Sequence, residues 1–161
     1  MAYHLAQLNV AKALAEMDSP IMHGFVSRLD EINALAECAP GFVWRLQTDA
    51  GDATSLRLFD DPLIIVNLSV WESVEDLKSY TYKSLHVELV KERKKWFERF
   101  GRPHLVMWWI PAGKVPTVAE AQEKLEHLTR HGPTTEAFNF SKPFPQPKTQ
   151  PETQPETLQN V

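Results

Sequence analysis

The stretch LIIVNLSVW, running from Leu63 to Trp71, decides the fold. Ile64, Ile65, Val66 and Val70 are β-branched, which suits a pleated strand and costs rotamer freedom in a helix. At a period of two, Ile64, Val66, Leu68 and Val70 share one face, and Ile65, Asn67, Ser69 and Trp71 share the other. The first face is wholly apolar. The second carries an amide and a hydroxyl, which apolar packing alone does not select.

Toward the N-terminus, Tyr3 to Val10 reads as a first strand, with Gln7 and Asn9 on one face. Ser19 stands as a helix N-cap and Pro20 as the first helical residue. Met22, Phe25, Val26, Leu29, Ile32, Asn33 and Ala36 follow at helical spacing, and Pro40-Gly41 ends the run. Phe42 to Gln47 alternates as a second strand, followed by a polar loop containing Asp49, Gly51 and Asp52. Beyond Trp71, Ser73 caps a helix with Glu75 and Asp76 in its first turn, where negative charge suits the helix dipole. The pattern continues that helix to Phe100-Gly101, with a break near Tyr80 to Tyr82. A strand from His104 to Ile110 follows Pro103, and Thr117 with Glu120 opens a last helix that ends at Gly132-Pro133.

The order β-α-β-β-α-β plus one C-terminal helix predicts an α+β, ferredoxin-like domain with an antiparallel four-stranded sheet. Helices on one face leave the other to be covered, and a second sheet from a homodimer, a dimeric α/β barrel, is the economical cover. Trp108 and Trp109 fill both faces of the last strand and fit core plus dimer contact. Residues 1–140 form the expected domain. Residues 141–161 read as a disordered Pro/Gln/Thr-rich tail, since they offer little apolar surface to offset ordering entropy. Removing the tail is expected to leave stability nearly unchanged, with Phe144 the one residue placed to dock.

Composition narrows the function. The chain has 161 residues, 43% of them hydrophobic, which suits one core. A net charge of −4 argues against nucleic acid. The Lys91, Arg93, Lys94 and Lys95 cluster alternates with Glu88, Glu92 and Glu98, as on a salt-bridged helix surface. A single cysteine, Cys38, forms no internal disulfide framework and points to a reducing, cytoplasmic setting. No apolar run matches a membrane span, and the N-terminus has no signal-peptide pattern. His127 and His131 have metal-ligand spacing but oppose the apolar face of Val118, Ala121, Leu125 and Leu128, so solvated histidines are expected and no metal.

A helical wheel over residues 82–100 sets Tyr82, Leu85, Leu89, Trp96, Phe97 and Phe100 on one stripe, with His86 and Arg93 inside it. An inward Arg needs an answering group. Either these residues form a structural network, or they line a pocket in which His86 handles protons and Arg93 stabilises negative charge. If the Asn67 face of the strand looks at this helix, Asn9, Asn67, Trp71 and His86 surround one space.

The motif Asn67-x-x-x-Trp71-Glu72-Ser73, followed by a helix bearing His86, resembles the third strand and helix of dimeric α/β-barrel proteins. Those include the antibiotic-biosynthesis and haem-degrading monooxygenases. SYTYKSLH at residues 79–86, WF at 96–97, WWIPAGKVPTVAEAQEKL at 108–125 and HGPTTEAF at 131–138 resemble the narrower domain of unknown function 3291 family, over residues 3–142. The resemblance implies a dimer with a small-molecule pocket between sheet and helices. In the monooxygenase branches the residues matching Asn67 and Trp71 contribute to the substrate or haem pocket. The haem-degrading branch carries its axial histidine about one helical turn earlier than His86. The resulting expectations are His86 and Arg93 as catalytic residues and Asn9, Asn67, Trp71 and Tyr82 as ligand-binding residues. No cofactor is expected, with haem as the exception. The activity is monooxygenase-like on an aromatic or conjugated substrate; the alternative is a non-catalytic module that binds a small ligand or haem.

Overall fold

The computed structural model describes residues 2–47, 63–83, 95–98 and 103–147. Strand β1 spans Tyr3–Lys12, β2 Phe42–Arg45, β3 Ile64–Trp71 and β4 Leu105–Pro111. After a 3-10 turn at Pro20–Met22, capped by the Ser19 side chain, come α1 at His23–Val26 and α2 at Leu29–Cys38. Helix α3 spans Val74–Lys83 and α4 spans Val118–His131. The four strands form one antiparallel sheet in the order β2-β3-β1-β4, the ferredoxin-like arrangement the element order predicts.

The two faces of β3 do lie under different layers. Leu68 and Val70, with Leu8 of β1 and Trp108 of β4, form the main core together with Ala121, Leu125 and Leu128 of α4. On the opposite face Leu5, Trp71 and Met107 pack with Leu77 of α3, and Ala36 of α2 joins them. Helix α4 is set by the capping box of Thr117 and Glu120, whose carboxylate also accepts the Trp108 indole N–H at 2.8 Å.

This arrangement revises the argument for a partner sheet. The face expected to be open carries α4, and Ala6, Leu8, Val10, Val66 and Leu68 are all buried within one chain. A second copy is not needed to bury them. Trp109, expected at a dimer contact, packs with Phe144 of its own chain and donates its indole N–H to the Phe144 carbonyl at 2.9 Å.

Two further expectations change. Trp96 and Phe97 were placed on a helical stripe, yet Phe97 bridges Ala13, Leu14 N–H donates to the Trp96 carbonyl at 2.7 Å, and Glu98 N–H donates to the Lys12 carbonyl at 2.8 Å. This segment extends along the end of β1. Its rings fill a cluster with Met22, Phe25 and Ile32, where Phe25 meets Phe97 edge-on at 4.9 Å. Adjacent apolar residues lie about 100° apart on a helix, so one stripe holds them poorly. The second change is at the tail. Phe138 pairs with Met107, and Phe144 packs on Phe138 with ring centroids 5.8 Å apart, so the chain docks past residue 141. Among the described residues no helix is long and apolar enough to cross a membrane.

Phe144→Ala should therefore lower stability by about 1–2 kcal/mol, through lost ring burial. Thermal melting checks this: a drop of several degrees is expected, and an unchanged midpoint would show that the docked segment adds nothing.

Candidate functional site

Between the polar sheet face and helices α2 and α3 lies a cavity of about 310 Å³. The antiparallel register builds its floor: Gln7 stands opposite Ser69, Asn9 opposite Asn67, and Leu5 opposite Trp71. Ile32, Asn33 and Ala36 from α2 line it, as do Leu77 and Tyr80 from α3 and Phe140 from the C-terminal segment.

The floor is a chain of hydrogen bonds across the two central strands. Gln7 Nε2 donates to Asn67 Oδ1 at 2.6 Å and to Ser69 Oγ at 2.8 Å. Trp71 Nε1 donates to the same Ser69 oxygen at 2.9 Å. Gln7 and Ser69 are buried, so the bonds between them answer a desolvation cost that would otherwise oppose folding. Asn67 is exposed although it sits on a central strand, because the cavity opens above it. No side-chain hydrogen bond holds Asn9 among the described residues.

Trp71 is 1% exposed and forms an apolar wall, edge-on to Phe42 at 5.5 Å and tilted on Tyr80 at 5.2 Å. The Tyr80 hydroxyl donates to the Ile32 carbonyl at 3.3 Å, tying α3 to α2. Burial pushes the Tyr80 phenol up to about 12, so it stays neutral at physiological pH. Arg45, also at the cavity, is paired with Glu37 at 2.7 Å.

The structure thus brings Asn9, Asn67 and Trp71 to one cavity, beside residues the sequence reading did not select: Gln7, Ser69, Tyr80 and Phe140. Tyr82 lines the same cavity, but it is 56% exposed and its ring meets Phe140 at 5.8 Å. The inward phase of α3 is set by Leu77, with Tyr80 three residues on; Tyr82 falls about 140° from Leu77. His86 and Arg93 lie outside the described residues. At the far side of the sheet His127 Nε2 sits 3.0 Å from Thr134 Oγ1 and its ring lies 4.6 Å from that of His131. Among the described residues no three His, Cys, Asp or Glu side chains gather as a metal site.

A family model, described as a domain of unknown function (DUF3291), matches residues 4–154. The chain belongs to the DUF3291 family. No curated protein matches it by sequence. Solved structures of similar architecture include a protein of unknown function from Nitrosomonas europaea, at 13% identity and TM-score 0.47 over 71% of this chain and 96% of that one. SnoaB, a cofactor-independent oxygenase from Streptomyces nogalater, aligns at 15% identity and TM-score 0.46 over 71% and 97%. A Nitrosomonas europaea chain provisionally assigned as an antibiotic biosynthesis monooxygenase aligns at 12% and 0.44 over 68% and 88%.

Two measurements check the geometry. Ser69→Ala removes the oxygen that answers Gln7 and Trp71 and should cost about 1–3 kcal/mol, read by chemical denaturation; a cost near zero would contradict the bonded floor. Tyr80 has a folded-state pKa above its unfolded value, so its contribution is full below pH 10 and is lost as pH rises toward about 12. The wild type should lose stability over that window more steeply than Tyr80→Phe. Parallel curves would show that Tyr80 ionises normally.

Proposed function

We propose that this DUF3291 chain holds a small, neutral, largely planar molecule in the cavity between sheet and helices. The observation that carries this reading is the composition of the floor. Uncharged hydrogen-bonding groups, Asn9, Asn67 and Ser69, stand on central strands between the aromatic wall of Trp71, Phe42 and Tyr80 and the aliphatic side of α2. A few fixed polar groups within an apolar cleft are the usual make-up of a small-molecule site. The one cation described there, Arg45, already has the Glu37 carboxylate, which favours an uncharged ligand. Aromatic walls favour a flat, conjugated one.

Cofactor-independent oxygenation is the second reading. Asn9, Asn67 and Trp71 beside one cavity favour it, since the monooxygenase resemblance attaches pocket roles to the residues matching Asn67 and Trp71. In that reading the amides orient the substrate and the walls exclude water. His86 and Arg93 remain the proposed acid–base and charge-stabilising residues. Every lining residue named comes from one chain, so the reading stands with or without the proposed homodimer.

Mass spectrometry of small molecules released from the denatured, purified protein tests the proposal. A stoichiometric conjugated compound is expected, and Ala36→Phe, which adds a ring at the α2 side, should abolish its retention. Equal retention by Ala36→Phe would contradict the site. Oxygen uptake by protein and the recovered compound, without added cofactor, separates the enzyme from the binding module.

A further inference from the structure

We propose that the cavity floor is a fixed donor array that selects ligands presenting a neutral hydrogen-bond-accepting oxygen, with Gln7 setting its polarity. The inference rests on reading the cavity as a small-molecule site, and adds which side of each hydrogen bond the ligand must supply.

Two groups in the floor cannot change role. An indole N–H only donates, and a main-chain carbonyl only accepts. Trp71 Nε1 reaches Ser69 Oγ at 2.9 Å, so that oxygen accepts. Gln7 Nε2 lies 3.3 Å from the main-chain carbonyl of Asn67. Turning the Gln7 amide over would set two acceptor oxygens against each other there. The nitrogen therefore stays on that side, where its two hydrogens go to Asn67 Oδ1 at 2.6 Å and to Ser69 Oγ at 2.8 Å, with the main-chain carbonyl lying beyond them.

The consequences follow from counting donors and acceptors. Asn67 Oδ1 is engaged by Gln7, so the Asn67 amide turns its NH2 group away from Gln7. Asn67 is exposed at the cavity, and no described residue accepts from that group. Ser69 Oγ already receives two N–H donors, which fill its two lone pairs. Its own proton has to be donated, and no described residue accepts that one either. Two adjacent donors on one floor, without an ionised group among them, call for a carbonyl or similar oxygen. A hydrocarbon of the same shape leaves both donors unanswered, and that penalty gives the selection.

The test uses the full chain and two tricyclic probes that differ by one carbonyl, 9-fluorenone and fluorene, in equilibrium dialysis. Wild type should bind the ketone on the order of tenfold more tightly, the scale of one to two net hydrogen bonds. Asn67→Asp keeps an oxygen toward Gln7 but replaces the cavity-facing NH2 with an acceptor. It should remove the ketone preference, read as the ratio of the two affinities. Gln7→Glu accepts only, turns the Asn67 amide over, and should act likewise. Should that buried change prevent folding, Asn67→Asp, at an exposed position, decides alone. Equal binding of both probes by the wild type, or a ketone preference that survives Asn67→Asp, overturns the donor array while the pocket reading stands. Binding of neither probe overturns the pocket reading for flat molecules of this size, and the array with it.

Discussion

The pairing of β1 with β3 in one register is the constraint on which the site depends. Gln7 faces Ser69 and Asn9 faces Asn67 only in that alignment. A slip of one residue would turn the amides toward α4 and bring Val66, Leu68 and Val70 over the cavity. The slip is opposed from both sides of the sheet. On one face the apolar row must meet Ala121, Leu125 and Leu128. On the other, Gln7 and Ser69 are buried and would lose the bonds that make their burial tolerable. Core and site are therefore specified by the same alternation, read on opposite faces.

The chemistry of the cavity follows from that floor. Its polar groups are amides and hydroxyls held by one another rather than by charges. The Tyr80 phenol ties the two covering helices together through Ile32 and remains protonated at neutral pH because it is buried. Trp71 uses its N–H on Ser69, so toward the cavity it is a rigid apolar surface. Such a site would orient a neutral molecule through a few fixed bonds and exclude water by contact. That is compatible with plain binding and with chemistry that needs mainly positioning. The C-terminal segment adds one wall: Phe140 lines the cavity, and Phe138 and Phe144 anchor the segment to β4.

Much of the fold was legible because local signals and global packing agree. The two-faced alternation of β3, the Ser19 cap and the Thr117–Glu120 capping box each carry their own physical mechanism, and each element formed where the mechanism places it. What was not legible depends on phase or partner. Tyr82 was set inward from the spacing of residues beyond it, whereas Leu77 sets the phase of α3 and turns Tyr80 inward. Trp96 and Phe97 are equally apolar in a helix or along a strand end, and their contacts with Phe25 decide between the two. Gln7 and Ser69 were visible as polar residues on strands, but their bond exists only across a register that no single segment encodes. Phe144 stood out from the proline-rich composition around it as the ring placed to dock, but the depth of its contact with Phe138 and Trp109 was not written in that composition.

Side-chain amide NMR of the full chain, with and without a flat ketone, reads the cavity floor atom by atom. On addition the Asn9 and Asn67 NH2 signals should shift, the Gln7 NH2 protons should exchange slowly throughout, and residues of α4 should not respond. Shifts confined to the α4 side of the sheet, or a Gln7 amide that exchanges as freely as an exposed one, would contradict the bonded floor as the site.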